Sequence, residues 1–301
     1  MGSRVNIKKS DYSNILLGVL VMVLGMIILA STDAISKYLT LSFAVVQILW
    51  IRYIVFALIG SFVVLKKYGV PGLRTKRPIA QVARALILTG TNFMAVFTLS
   101  LMPIADAHAI LAIAPLMVTA VSAPVLGEVI GQRQWIAVSV GFAGVLVILR
   151  PGVGIFDPVS LIPLAVAFSF SAYTVLTKII SRDDENETTL FYTGVVGLIS
   201  LTTIGPFFWT QPDSIDWCWL LLAAVLGSMA HVFIITALHL APASLLQPFN
   251  YTMLVWATLL GYLIFNNLPD IWTVLGALTI VASGLFVCFY EWQEQKSKKY
   301  F

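Results

Sequence analysis

The 301-residue sequence is short of charge: 11% of its residues are Asp, Glu, Lys or Arg. A water-soluble domain carries about 25%, so a soluble globular protein is excluded as the simplest reading. Cysteine is scarce too. Cys218 and Cys288 stand far apart, which excludes a disulfide framework and a paired-cysteine metal site. Both read as buried thiols. The three histidines, His108, His231 and His239, are scattered. There is no HExxH, no GxSxG and no cluster of metal ligands, so no metal, cofactor or catalytic residue is expected. No Walker A sequence is present either, so any driving force should come from an ion gradient, exchange or the solute's own gradient.

What the chain has in excess is apolar surface. Hydrophobic residues make up 59% and the mean hydropathy is +0.94. At this size a soluble fold has no means of hiding so much apolar area, whereas a bilayer acts as its solvent. A spanning helix needs about 20 mostly apolar residues. Ten segments fit: 14–39, 43–65, 79–101, 104–126, 132–150, 159–181, 188–209, 216–240, 242–265 and 270–291. Turn signals separate them, notably Lys66-Lys67 with Gly69, Pro71 and Gly72, then Met102-Pro103, Arg150-Pro151-Gly152 and Ala241-Pro242. Proline has no amide with which to continue a helix. The first run, from Asn14, is too long for a cleavable signal and lacks a small-residue cleavage site. It is expected to be retained.

The formal charge of +4 is placed by topology, not by nucleic acid. With the N-terminus inside, Arg4, Lys8, Lys9, Lys66, Lys67, Arg74, Lys76, Arg77, Arg133, Lys178, Arg182, Lys296, Lys298 and Lys299 share one side. Only Arg150 reaches the other. That bias predicts a multi-pass protein of the cytoplasmic (inner) membrane with both termini cytoplasmic. Lys37, Arg52 and Arg84 are left within helices.

The chain also repeats itself. Ala34-Ile35-Ser36-Lys37 is echoed by Val175-Leu176-Thr177-Lys178 at an offset of 141, and Thr98–Pro103 by Ala237–Pro242 at 139. Gly144-Val145-Leu146-Val147 matches Gly284-Leu285-Phe286-Val287. Two halves of five helices follow, 14–150 and 159–291. Because five is odd, the second half enters the membrane from the opposite side. Inverted repeats of this kind place a solute site near the midplane, between the halves.

These residues resemble a known family. Gly127-Glu128, Gly131-Gln132-Arg133-Gln134-Trp135, Gly141–Leu146 and Arg150-Pro151-Gly152 look like the end of an EamA domain of the drug/metabolite transporter superfamily. Asp33–Tyr38, Gln47 and Arg52-Tyr53 are similar to the branch containing S-adenosylmethionine and riboflavin transporters. Asn266-Asn267 departs from the pattern, standing where a Glu is usual. The resemblance implies ten helices, two EamA repeats and a central cavity. It leaves the solute and the direction open.

Ionisable groups inside a bilayer cost about 2.5–3.5 kcal/mol each on insertion scales, so each needs a reason. Asp33 and Lys37 lie one helical turn apart and are able to pair; they read equally as a self-satisfied pair or as part of the solute site. Arg52 lies roughly 13 Å into its helix at 1.5 Å per residue. It needs a carboxylate, from the protein or from a solute. Arg84, nearer its helix end, is expected to snorkel to the cytoplasmic surface. Asp106 and His108 open the fourth helix, where gating or proton coupling competes with a helix-terminus role. The offset of 139 pairs Asn92 with His231 and His108 with Gln247, as a shared cavity would require. Tyr173, Asn250, Tyr251 and Trp256 add amide and aromatic surface suited to a planar or cationic group. The function expected is a secondary transporter that moves a small organic metabolite by alternating access. An amino acid, S-adenosylmethionine or a vitamin would qualify, with H+ or Na+ as coupling ion. A membrane-embedded enzyme or an accessory subunit is the alternative. The expected partners are the solute, a coupling ion and the lipid bilayer, with nucleic acid excluded and the oligomeric state left open.

Overall fold

A computed structural model describes residues 9–126, 131–150, 157–180, 183–240, 246 and 249–298. Within them every regular element is helical: α1 Lys9–Leu39, α2 Val45–Tyr68, α3 Pro78–Leu101, α4 Ile104–Leu111, α5 Ala114–Leu126, α6 Gln132–Leu149, α7 Leu161–Ile180, α8 Asn186–Thr202, α9 Ser214–Leu240, α10 Thr252–Phe265 and α11 Ile271–Lys298. Five stretches are long and apolar enough to cross a membrane: Leu16–Leu39, Val45–Tyr68, Pro78–Leu101, Pro158–Ile180 and Ser214–Ile234. The remaining apolar helices are shorter.

Three expected helices are cut; the segment 242–265 breaks at Tyr251, between the helical residues 249–250 and α10. The segment 104–126 divides into α4 and α5 at Ala112-Ile113, because Pro115 has no amide for the carbonyl of Leu111 four residues back. The segment 188–209 is helical only to Thr202 and then tightens into a 3-10 turn, Gly205–Phe208, with Pro206 near its start. The breaks at Gly69 and at Met102-Pro103 fall as expected, whereas Pro151, Gly152, Ala241 and Pro242 lie outside the described residues. Pro78 opens α3, where a missing amide costs nothing. Gly69 ends α2 at φ 64°, a left-handed value that glycine tolerates.

Packing crosses between the two halves of the sequence. α1 lies along α9, α2 along α8, α3 along α7, and α6 along α11. Small residues permit the approach. A Cβ on Gly194 would stand 2.7 Å from Cα of Ala57, and one on Gly144 2.8 Å from the carbonyl of Gly276. Outward faces are apolar, with Leu58, Phe62 and Ile79 largely exposed, as suits hydrocarbon contact. Cys218, expected to be buried, is exposed, because it sits in the outward-facing first turns of α9. The Cys288 side chain lies outside the described residues.

Polar links join the halves at both ends of the α2–α8 pair. At the end rich in Lys and Arg, Lys67 meets Glu187 at 2.5 Å and Arg77 meets Asp183 at 2.5 Å. Asp184 accepts from Thr75 Oγ1, the Lys76 amide and Gln81 Nε2. Burial pushes the Asp184 carboxyl up, but these three donors outweigh it and hold the group below its ordinary range. At the opposite end the link is neutral. Gln47 Nε2 donates to the Thr210 carbonyl at 2.7 Å, and the Thr210 amide returns a bond at 2.8 Å.

Candidate functional site

The cavity between α2, α3 and α9 is lined by Arg52, Tyr53, Phe56, Asn92, Gly227, Ser228 and His231. Helical spacing brings them together: residues 52, 53 and 56 share one face of α2, and 227, 228 and 231 one face of α9. Its volume is about 10 Å³, roughly enough for one water molecule. Asn92 Nδ2 donates to Tyr53 Oη at 2.8 Å. His231 Nδ1 bonds the Gly227 carbonyl at 2.9 Å. A carbonyl only accepts, so Nδ1 carries a proton, and in the neutral ring Nε2 is left as an acceptor. The ring also rests 5.6 Å from that of Phe56.

Arg52 is the anomaly of the cavity. It is 9% exposed, yet among the described residues its guanidinium makes no hydrogen bond and no ion pair. It presses against Gly227, where an added Cβ would stand 2.6 Å from Nε and 2.9 Å from Cζ. That glycine is what gives the guanidinium its place.

Arg84 takes the opposite course. It does not snorkel: it is 0% exposed. Nε donates to Gln81 Oε1, and Nη2 donates to the Thr189 carbonyl and Thr193 Oγ1. Its Cζ lies 5.4 Å from the Tyr173 ring centroid. Tyr173, expected in the cavity, is therefore the cation's aromatic partner. Snorkelling fails here because α7 and α8 close over α3 and supply acceptors that reaching outward would forgo.

Lys37 and Asp33 do not pair with each other. Lys37 Nζ donates to the carbonyls of Leu99 and Met102 at 2.6 and 2.7 Å, ending α3, where orphan carbonyls and the helix dipole favour a cation. Asp33 instead meets His108 Nε2 at 3.1 Å, joining α1 to α4. Asp33, Lys37 and His108 are not among the residues that line the cavity. Asp106, two residues from His108, points another way, toward Thr273, Asp270 and Arg150. One of its buried oxygens has no hydrogen-bond partner. There Arg150 donates to Asp270 at 2.6 Å, and Asp270 caps α11 through the Thr273 amide at 2.7 Å.

Trp256 packs in another apolar cluster, with Met22, Met26, Ala237 and Leu246, and its buried Nε1 has no partner. Tyr251 is buried against Gly284, and Asn250 precedes it. None of these three lines the cavity around Arg52. Gln247 lies outside the described residues. Of the expected cavity set, Arg52, Asn92 and His231 meet at one place. Tyr53, Phe56, Gly227 and Ser228 were not anticipated. The signal available for two of them was Gly227 one turn before His231, and Tyr53 adjoining Arg52 in the quoted motif.

A bundle of apolar helices with a small polar cavity between segments from both halves of the sequence defines the class: a multi-pass membrane protein. The chain matches the EamA-like transporter family over residues 16–150 and 159–289, and it belongs to that family. It is 28% identical to the S-adenosylmethionine uptake transporter of Rickettsia prowazekii (strain Madrid E), over 93% of this chain and 95% of that one. It is 33% identical to the riboflavin transporter of Vibrio cholerae serotype O1, over 65% of this chain and 66% of that one. The riboflavin transporter of Rhizobium johnstonii is 27% identical over 94% and 95%. A solved crystal structure shares the fold at a TM-score of 0.60 with 21% identity, covering 91% of this chain and 95% of the other. Family and relatives alike are transporters, so the chain is a transporter of small metabolites and not an enzyme.

Proposed function

We propose that this protein carries a small organic metabolite through the Arg52–Asn92–His231 cavity by alternating access of two inverted five-helix halves, residues 14–150 and 159–291. The observation that carries the reading is the cavity itself. Asn92 and His231, paired by the sequence offset, both line it, alongside a buried arginine that meets no anion among the described residues.

Packing supports the inverted halves. Exchanging the halves turns α1–α9 contact into α7–α3 contact and α2–α9 into α8–α3, and all four are present. It maps α2–α8 and α6–α11 onto themselves. The bond from Thr188 Oγ1 to the Gly72 carbonyl at 2.8 Å answers that from Gln47 to Thr210 at the other end, since Thr188 follows Gln47 by 141 residues. The volume of about 10 Å³ is far below the roughly 300 Å³ of a typical small-molecule site, so this conformation is closed around the cavity. Loading then requires the halves to part on one side at a time.

The solute is of the kind that the relatives are named for, S-adenosylmethionine or riboflavin. The membrane is the inner one, both termini face the cytoplasm, and Asp33–His108 and Asp106 are the gating or proton-linked groups. Counterflow tests the reading: protein in vesicles preloaded with unlabelled S-adenosylmethionine or riboflavin should accumulate the labelled compound transiently. Equal, non-saturable entry into protein-free vesicles would contradict it.

A further inference from the structure

The solute's recognition chemistry follows from the difference between the buried cations. Lys37 and Arg84 spend their donors on protein oxygens. Arg52 alone of the three keeps its donors for the cavity. Among the described residues no protein anion pairs with this guanidinium, and its planar fork fits a carboxylate in two parallel bonds. Around it stand the phenol, amide, hydroxyl and imidazole of Tyr53, Asn92, Ser228 and His231. None of them is a carboxylate that would compete for the guanidinium. Arg52 is therefore the one Arg, Lys, Asp or Glu in the lining, which suits a single anionic group such as a carboxylate.

Resting on the transport reading above, we propose that the solute carries a carboxylate and seats it on Arg52. Among the compounds the relatives are named for, this selects the amino-acid end of S-adenosylmethionine over riboflavin, which has no carboxylate. Gly227 is the specificity-supporting position, because any side chain there displaces the guanidinium.

Binding to the purified full-length chain in detergent tests this, by titration calorimetry or thermal stabilisation. S-adenosylmethionine should bind at least about tenfold tighter than its decarboxylated form, the size expected for a charge-assisted hydrogen-bonded pair. That comparison needs no variant. Arg52→Gln should bring the ratio close to one, and Gly227→Ala should reduce it. Equal affinities for the two forms, a ratio that survives Arg52→Gln, or binding of inorganic phosphate or chloride alone would overturn the inference. So would a carboxylate panel of S-adenosylmethionine, S-adenosylhomocysteine, methionine, glutamate and lactate in which nothing binds. Carboxylate-selective binding without counterflow would sink only the transport reading, whereas counterflow of riboflavin with no carboxylate preference would sink only this inference.

Discussion

Arg52 on α2 and Arg84 on α3 are both buried inside one bundle, and they are treated oppositely. Arg84 is enclosed by Gln81, Thr189, Thr193 and Tyr173, so its charge is part of the packing that joins α3 to α7 and α8. Arg52 leans on a glycine and faces a small empty space. Burial alone therefore does not tell structure from function in a membrane interior. What separates the two is whether the protein itself supplies the acceptors.

The comparison breaks most visibly at Arg84. Arg84→Met should lower stability by about 3 kcal/mol or more, because it strands buried oxygens that lose their donor. Thermal unfolding in detergent should show a large drop in midpoint. Arg52→Gln removes a charge that meets no acceptor among the described residues, so its midpoint should stay near that of the parent while solute affinity falls. Equal destabilisation by the two substitutions would erase the distinction.

Lys37→Met extends the contrast to a second satisfied cation. It uncaps the carbonyls of Leu99 and Met102 and should cost about 1–2 kcal/mol, read as a lower unfolding midpoint. Gly227→Ala sharpens the other side. The atoms it displaces are the far end of a flexible side chain, so the midpoint should move little while solute affinity drops several-fold.

The smallest effect concerns pH. The Asp184 carboxyl is held below its ordinary range in the folded chain. Its contribution is therefore present above the unfolded value of about 3.9 and lost as pH falls through the lower folded value. The loop contacts at the Lys/Arg-rich end should loosen in acid before the neutral Gln47–Thr210 link does. Amide hydrogen exchange at residues 75–81 and 210, compared between pH 6 and pH 3.5, would read the order; simultaneous loosening would count against it.

Much of this was legible in sequence, and the reason is physical. Apolar runs and proline breaks report local backbone preferences, so α2, α3 and α9 lie close to their expected bounds. Asn92 and His231, which the offset of 139 pairs, line one cavity. What stayed hidden depended on neighbours distant in the chain. Nothing near Arg84 announces Thr189 or Thr193, and nothing near Lys37 says that it will reach α3 rather than Asp33. The break at Ala112 was foreshadowed by Pro115, but an apolar run long enough to span masked it.

The most direct test of the account is counterflow of labelled S-adenosylmethionine into vesicles holding equal amounts of folded parent protein and of Arg52→Gln. The account predicts transient, saturable accumulation with the parent and its loss in the variant. Accumulation undiminished by the substitution would contradict a transport site built on Arg52.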